Sequence, residues 1–119
     1  MQLTTSPQSR AEQIVRVGRL SMASEREGEV HTVILDGELD LANAAKLEEE
    51  LRRIEDTDAG VILVDLEELS FIDSTGLRVL LTAAARSSRD GRLVLQGATP
   101  QVMRVFHLAG VVPLLPLCG

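Results

Sequence analysis

The sequence predicts an α/β fold in which a mixed, mainly parallel β-sheet opens with an antiparallel hairpin and is covered by amphipathic crossover helices. Three observations predict it. Between residues 61 and 84 the apolar spacing changes from a continuous run, Val61, Ile62, Leu63 and Val64, to the i, i+3, i+4, i+7 stripe Leu77, Leu80, Leu81 and Ala84, so a strand passes into a helix. Aliphatic runs and amphipathic segments follow one another in the order β-β-α-β-α-β-α-β, which implies crossover units with parallel strands. A polar run at 24–29, ending in Gly28 and Glu29, suits a hairpin loop between the first two strands.

Residues 1–18 are rich in Gln, Ser, Thr and Arg, with only the short apolar cluster Ile14, Val15 and Val17. They read as a flexible N-terminal arm, which leaves 19–119 as the folded domain. Residues 19–24 alternate weakly and form the first strand. Residues 30–35, β-branched and apolar around Thr32, form the second, antiparallel to it. Asp36-Gly37 has the form of a turn, but Glu38 and Leu39 restore the alternation, so Gly37 marks either a turn or a bulge within one longer strand. Asp40 is expected to cap a helix that turns Ala44, Leu47, Leu51 and Ile54 inward. Its Lys46, Glu48, Glu49, Glu50, Arg52 and Arg53 lie mostly outward.

Residues 61–66 form the central strand, covered on both faces. The second helix opens at Ser74 and runs to about Ser88, where Arg89, Asp90 and Gly91 stop it. Leu93, Val94 and Leu95 make a short buried strand. Thr99 caps a third helix with Pro100 in its first position; Val102, Val105, Phe106 and Ala109 form its apolar face and Gly110 ends it. Residues 111–117 are apolar but contain Pro113 and Pro116, which confines them to a sheet edge.

A chain of 119 residues fits one domain with one core. With 45% hydrophobic residues but only 2% aromatic, and no Trp or Tyr, that core must be aliphatic. A formal net charge of −6 opposes binding to nucleic acid or to an anionic membrane. A neutral or basic protein partner is easier to reconcile with it. Cys118 is the single cysteine, too few for an internal disulfide or a metal site. No apolar run reaches the roughly 18 residues of a membrane span, and no signal peptide is evident at the N-terminus. The expected compartment is cytoplasmic.

At the strand-to-helix junction, Asp73, Ser74 and Thr75 can all accept hydrogen bonds from the unpaired N–H groups of a first helical turn. One or two of them are caps. The third points a hydroxyl or carboxylate outward at the positive end of the helix dipole, where a phosphate is favoured. The plainest reading is that all three only cap. A serine nucleophile would need a base, and the surroundings of Ser74 are not Gly-x-Ser-x-Gly. His31 falls in a strand and His107 near a helix end, both ordinary positions. Asp36, Glu38, Asp40, Asp65 and Asp73 lie at strand ends without a spacing that specifies a catalytic pair. Gly91, Gly97 and Gly110 punctuate the chain and build no phosphate loop. No catalytic residue, metal site or cofactor is expected.

Four segments carry a resemblance. Asp36-Gly37-Glu38-Leu39-Asp40, then Val64-Asp65-Leu66, then Phe71-Ile72-Asp73-Ser74-Thr75-Gly76-Leu77, then Phe106-His107-Leu108-Ala109-Gly110-Val111 resemble, in this order and spacing, the STAS domain of bacterial anti-sigma factor antagonists. The resemblance spans about residues 20–117 and implies a STAS-like fold. It also implies that Ser74 is the serine phosphorylated by an anti-sigma factor serine kinase. The unphosphorylated antagonist would bind that kinase and free a sigma factor; phosphorylation would release it and a serine phosphatase would reset it. This is partner switching in transcription regulation, such as a stress response. The partner-binding surface it implies comprises Asp40, Asp73, Ser74, Thr75, Gly76, Arg78 and Thr82, on a monomer or weak dimer.

Two departures from the family stand out. Arg78 follows Gly76-Leu77 where relatives often have a small residue, and a further helix after the last strand is lacking within the chain. The neighbourhood of the last strand is therefore expected to be exposed, or filled by the arm 1–18 or a second copy. The competing readings are a STAS scaffold or ligand-sensing module that is never phosphorylated, and a small enzyme.

Overall fold

The computed structural model describes residues 11–118. It contains β1 (Ala11–Val17), β2 (Leu20–Glu27), β3 (Val30–Leu39), α1 (Ala44–Glu55), β4 (Val61–Ile72), α2 (Ser74–Arg86), β5 (Leu93–Gln96), α3 (Pro100–Leu108), a 3-10 turn (Val112–Leu114) and β6 (Leu117–Cys118). The six strands form one sheet in the order β1-β2-β3-β4-β5-β6. The first three are antiparallel and the rest parallel. The predicted mixed sheet with its opening hairpin is therefore present, with one strand more than expected.

That strand, β1, replaces the second half of the expected arm; residues 1–10 lie outside the described residues. Val17 and Leu20 are partners across the Gly18-Arg19 turn, a two-residue hairpin loop that the weak pattern of the segment hid. As an edge strand β1 needs only one inward face. Val15 supplies it by packing against the core while Ile14 stays 69% exposed. These residues extend the sheet at the edge opposite β6, so they do not fill the space beside the last strand.

Each crossover from β3 to β6 advances one place in the sheet. Right-handed crossovers then set α1, α2 and α3 on the same face. Burial follows this arrangement: Leu20 and Met22, Val33 and Leu35, Ile62 and Val64 are buried, whereas Val61, Leu63 and Thr32 on the other face are only half-buried. The expectation that 61–66 is covered on both faces is thus corrected. The core is aliphatic around Phe106. From α1, Ala44, Leu47, Leu51 and Ile54 enter it as expected, but Glu50 is also buried, held by Arg53 at 2.9 Å and Lys46 at 3.7 Å. Leu77 and Leu80 are buried from α2, joined by Val79 and Ala83, while Leu81 and Ala84 are half-buried. In α3, Val102 and Phe106 are buried and Val105 is half-buried, while Ala109, just past its end, is exposed.

Arg86 bolts α2 to α1. Its guanidinium donates to both carboxylate oxygens of Glu55 at 2.9 Å, and to Glu48 at 2.8 and 3.4 Å. The Glu55 hydrogen bonds raise the Arg86 pKa, burial works against this, and Glu48 adds to it.

Two register shifts let β4 reach the junction at the right angle. Ile34 pairs with Asp65 but Asp36 with Glu68, and Gly37 pairs with Leu69 but Glu38 with Phe71. Each shift places an extra residue on β4, and bulges of this kind re-aim a strand end. They change the burial period from two to three, so that Leu66, Leu69 and Ile72 all face the core. Gly37 sits in β3 with φ 118°, and a Cβ there would run into the Arg19 carbonyl, which accepts from Glu38 N–H at 2.9 Å. The longer-strand alternative for 30–39 holds, with the extra residues on the partner strand.

Candidate functional site

The junction is built by Asp73. Its backbone is extended, at φ −105° and ψ −176°, and its Oδ1 accepts from Gly76 N–H at 2.9 Å, which closes the first turn of α2. Its Oδ2 accepts from Leu41 N–H at 3.2 Å, and its own N–H donates to the Leu39 carbonyl at 3.1 Å. One carboxylate therefore caps the helix and holds the β3–α1 turn. This resolves the ambiguity among the three polar residues: Asp73 is the cap. Ser74 is exposed and Thr75 half-buried, and neither hydroxyl has a hydrogen-bond partner among the described residues.

Asp40 reaches the same place, since its neighbours Leu39 and Leu41 are both bonded to Asp73. Its predicted role as the α1 cap is corrected. The helix starts at Ala44, and Asp40 Oδ1 instead accepts from Ala42 N–H at 3.0 Å inside the preceding turn. Asn43 anchors that turn. It is fully buried, its Oδ1 accepts from Asp40 N–H at 2.9 Å, and its Nδ2 donates to the Val17 carbonyl at 3.2 Å and the Glu38 carbonyl at 3.0 Å. It joins the hairpin, the end of β3 and the start of α1.

Ser74, Arg78 and Thr82 lie one turn apart along the exposed face of α2. Thr82 Oγ1 donates to the Val79 carbonyl at 3.1 Å. Gly76 does not share that surface: it is buried, and a Cβ on it would stand 2.5 Å from Leu39 Cγ and 3.2 Å from Ile72 Cγ1. Its place in the turn is structural. Two apolar residues absent from the sequence-derived set flank the junction, Leu41 at 76% exposure and Phe71 at 47%. Only their positions beside a turn could have signalled them.

The remaining polar candidates are scattered. Glu38 faces Arg19 at 3.7 Å, Asp65 Oδ1 accepts from Glu67 N–H at 3.0 Å, and Asp36 is exposed. His31 is buried, with Nε2 2.6 Å from Ser24 Oγ, and His107 is exposed. Among the described residues no three His, Cys, Asp or Glu side chains are placed to hold a metal ion. A cleft of about 420 Å³ lies at the opposite end of the parallel strands, beside Glu55, Arg86, Asp90 and Arg92. Its arginines are committed. Arg86 is held by carboxylates, and Arg92 donates to the carbonyls of Ala59, Glu55 and Thr57 at 2.9, 3.1 and 3.0 Å. No helix among the described residues is long and apolar enough to cross a membrane.

Comparison with known proteins identifies the family of the chain. Residues 22–116 match the family described as Mlab, STAS domain. The anti-sigma-B factor antagonist of Listeria monocytogenes is 33% identical over 88 residues, 73% of this chain and 77% of that protein. An anti-sigma factor antagonist from Mycobacterium paratuberculosis shares the fold, with a TM-score of 0.74 at 23% identity over 82% of this chain and 84% of that one. The anti-sigma factor antagonist SpoIIAA in its unphosphorylated form is 26% identical, with TM-score 0.62 and coverage of 90% and 87%. The phosphorylated form of SpoIIAA from Bacillus gives 25%, 0.57, and 90% of each chain.

Proposed function

The chain belongs to the STAS-domain family of anti-sigma factor antagonists, and from that premise we propose that it is the phosphorylatable partner of an anti-sigma factor serine kinase. In this reading it is a regulatory substrate and performs no catalysis itself. Unphosphorylated, it binds the kinase and frees a sigma factor. The Ser74 Oγ then attacks the γ-phosphorus of ATP on the kinase, its proton passes to a base of the kinase, and ADP leaves. The phosphorylated chain dissociates, and a serine phosphatase restores the hydroxyl by hydrolysis. The protein acts in the cytoplasm as a monomer or weak dimer.

One observation carries the reading. Asp73 accepts from both local N–H groups, Gly76 and Leu41, which leaves the Ser74 hydroxyl exposed and uncommitted at the start of α2. A serine used as the cap would lose that exposure. Asp40, Thr75, Arg78 and Thr82 border it, and exposed Leu41 and Phe71 offer apolar area that a partner can bury. Phosphorylation adds about −1.5 to −2 charges beside Asp73. Desolvating that charge in the complex costs several kcal/mol unless the kinase supplies a matching cation.

Incubation with the cognate kinase and ATP, followed by intact-mass analysis, tests the assignment. Wild type and Thr75→Ala should each take up one phosphate, and Ser74→Ala none while still binding the kinase. Phosphate on the Ser74→Ala chain would move the site elsewhere.

A further inference from the structure

We propose that Arg78 is the intramolecular counter-ion of phosphorylated Ser74, so that phosphorylation removes a cation from the docking surface as well as adding charge to it. The proposal rests on the reading that Ser74 receives the phosphate. Ser74 and Arg78 are four residues apart on α2, both exposed, on the face turned away from Leu77, Leu80 and Ala83. At this spacing oppositely charged side chains meet. Among the described residues Arg78 has no hydrogen bond or ion pair, whereas Arg19 faces Glu38 and Arg86, at the far end of the same helix, is held by Glu48 and Glu55. Arg89 and Arg104, likewise uncommitted, lie beyond the end of α2 and on α3.

Chemistry divides the two states. A serine hydroxyl gives a guanidinium little to hold, so in the unphosphorylated chain Arg78 is free to meet an acidic group of the kinase. A phosphate offers three acceptor oxygens, and the guanidinium fork matches them bidentately. Folding back onto the phosphate requires only side-chain rotation, because Asp73 already fixes the first turn of the helix. The same residue thus favours docking before phosphate transfer and is unavailable for it afterwards.

The test uses the full chain with phosphoserine installed at position 74 by genetic encoding, without any kinase. Phosphorus NMR follows the second ionisation of the phosphate in chains with Arg78, Arg78→Lys and Arg78→Ala. The other charged groups at the turn, Asp73, Asp40 and Glu38 with its partner Arg19, are common to all three, so the difference isolates Arg78. An i, i+4 ion pair shifts an equilibrium by roughly 1.5- to 2.5-fold. Loss of Arg78 should therefore raise the second phosphate pKa by roughly 0.2 to 0.4 unit, with Arg78→Lys between the two. The Arg78 Nε–H resonance should move with the phosphate titration. Identical phosphate titrations in the Arg78 and Arg78→Ala chains, with a stationary Nε–H signal, overturn the pairing and leave the kinase reading intact. Phosphate uptake by Ser74→Ala would remove that reading instead.

Discussion

Gly76→Ala is the substitution that best tests how the junction is built. In most helices this change is favourable by about 1 kcal/mol, because alanine loses less conformational entropy than glycine. Here the added Cβ would stand 2.5 Å from Leu39 Cγ, 2.9 Å from Leu39 Cδ2 and 3.2 Å from Ile72 Cγ1. The nearest of these is a branch point, not the tip of a mobile chain, and Leu39 is 0% and Ile72 3% exposed. Neither side chain has room to withdraw. Overpacking of this kind costs about 1–3 kcal/mol, so clash outweighs propensity and a net loss of about 1 kcal/mol is expected.

On the scale of a domain this size, that corresponds to a melting-point decrease of about 4–8 °C. Thermal and urea unfolding followed by circular dichroism measure it. A second readout follows from the connectivity: the Leu39 carbonyl accepts from Asp73 N–H, so displacing Leu39 shifts the cap and should slow phosphate uptake at Ser74. A Gly76→Ala chain as stable as wild type, or more stable, would refute the claim that the first turn of α2 is pressed onto Leu39 and Ile72.

Further substitutions probe the remaining contacts. Asp73→Asn keeps an oxygen for Gly76 N–H but can no longer also accept from Leu41 N–H, so its unfolding free energy should fall between wild type and Asp73→Ala; the alanine variant should lose about 0.5–2 kcal/mol with the cap. Arg86→Ala breaks four charge-assisted hydrogen bonds between α2 and α1. At a half-buried site that should cost about 1–3 kcal/mol in urea unfolding. Asp90 is held below the usual carboxylate range, chiefly by the Arg92 N–H and then by the Ser87 hydroxyl. A depressed folded pKa gives stability that is present above the unfolded value and lost as the pH falls through the folded one, so acid unfolding of Asp90→Asn should be less steep than that of wild type. Ser74→Asp brings one charge where phosphate brings nearly two. It should weaken the kinase complex by tenfold or more in calorimetric titration yet leave the melt nearly unchanged, and wild-type affinity would remove the switch.

What could be read from the sequence was whatever is decided within a few residues. Thr99 with Pro100 starts α3, Thr99 Oγ1 accepting from Val102 N–H at 3.3 Å. Likewise Asp73 to Gly76 marks the opening of α2, and Ala44 to Ile54 the inward stripe of α1. What could not be read is decided by partners distant in sequence. β1 has little apolar pattern of its own and exists because β2 offers an edge. The bulges in β4 break the alternation of residues 66–72, and only the register against β3 shows which leucines face inward. The anchoring role of Asn43 gave no signal because it includes a bond to Val17, a separation of 26 residues. At the junction the residue types narrowed the cap to three candidates, but choosing Asp73 needed the Leu41 N–H on the neighbouring turn.

That choice would let the proposed phosphorylation of Ser74 change its charge without disturbing the fold. Every bond that positions the turn passes through Asp73 or Leu39, and the buried contacts beneath it belong to Gly76, Leu77 and Ile72. Ser74 contributes its backbone to the helix and has no bonded side-chain partner among the described residues. On the proposed reading, a phosphate there would meet solvent and Arg78 in the free protein, where a high dielectric would hold repulsion from Asp73 to about 1–2 kcal/mol. In the proposed complex the same charge would be enclosed between Asp73, Leu41, Phe71 and the kinase, and desolvation would raise the cost to several kcal/mol. The difference between those costs is what phosphorylation adds to dissociation, so the switch should act on affinity and leave stability almost untouched.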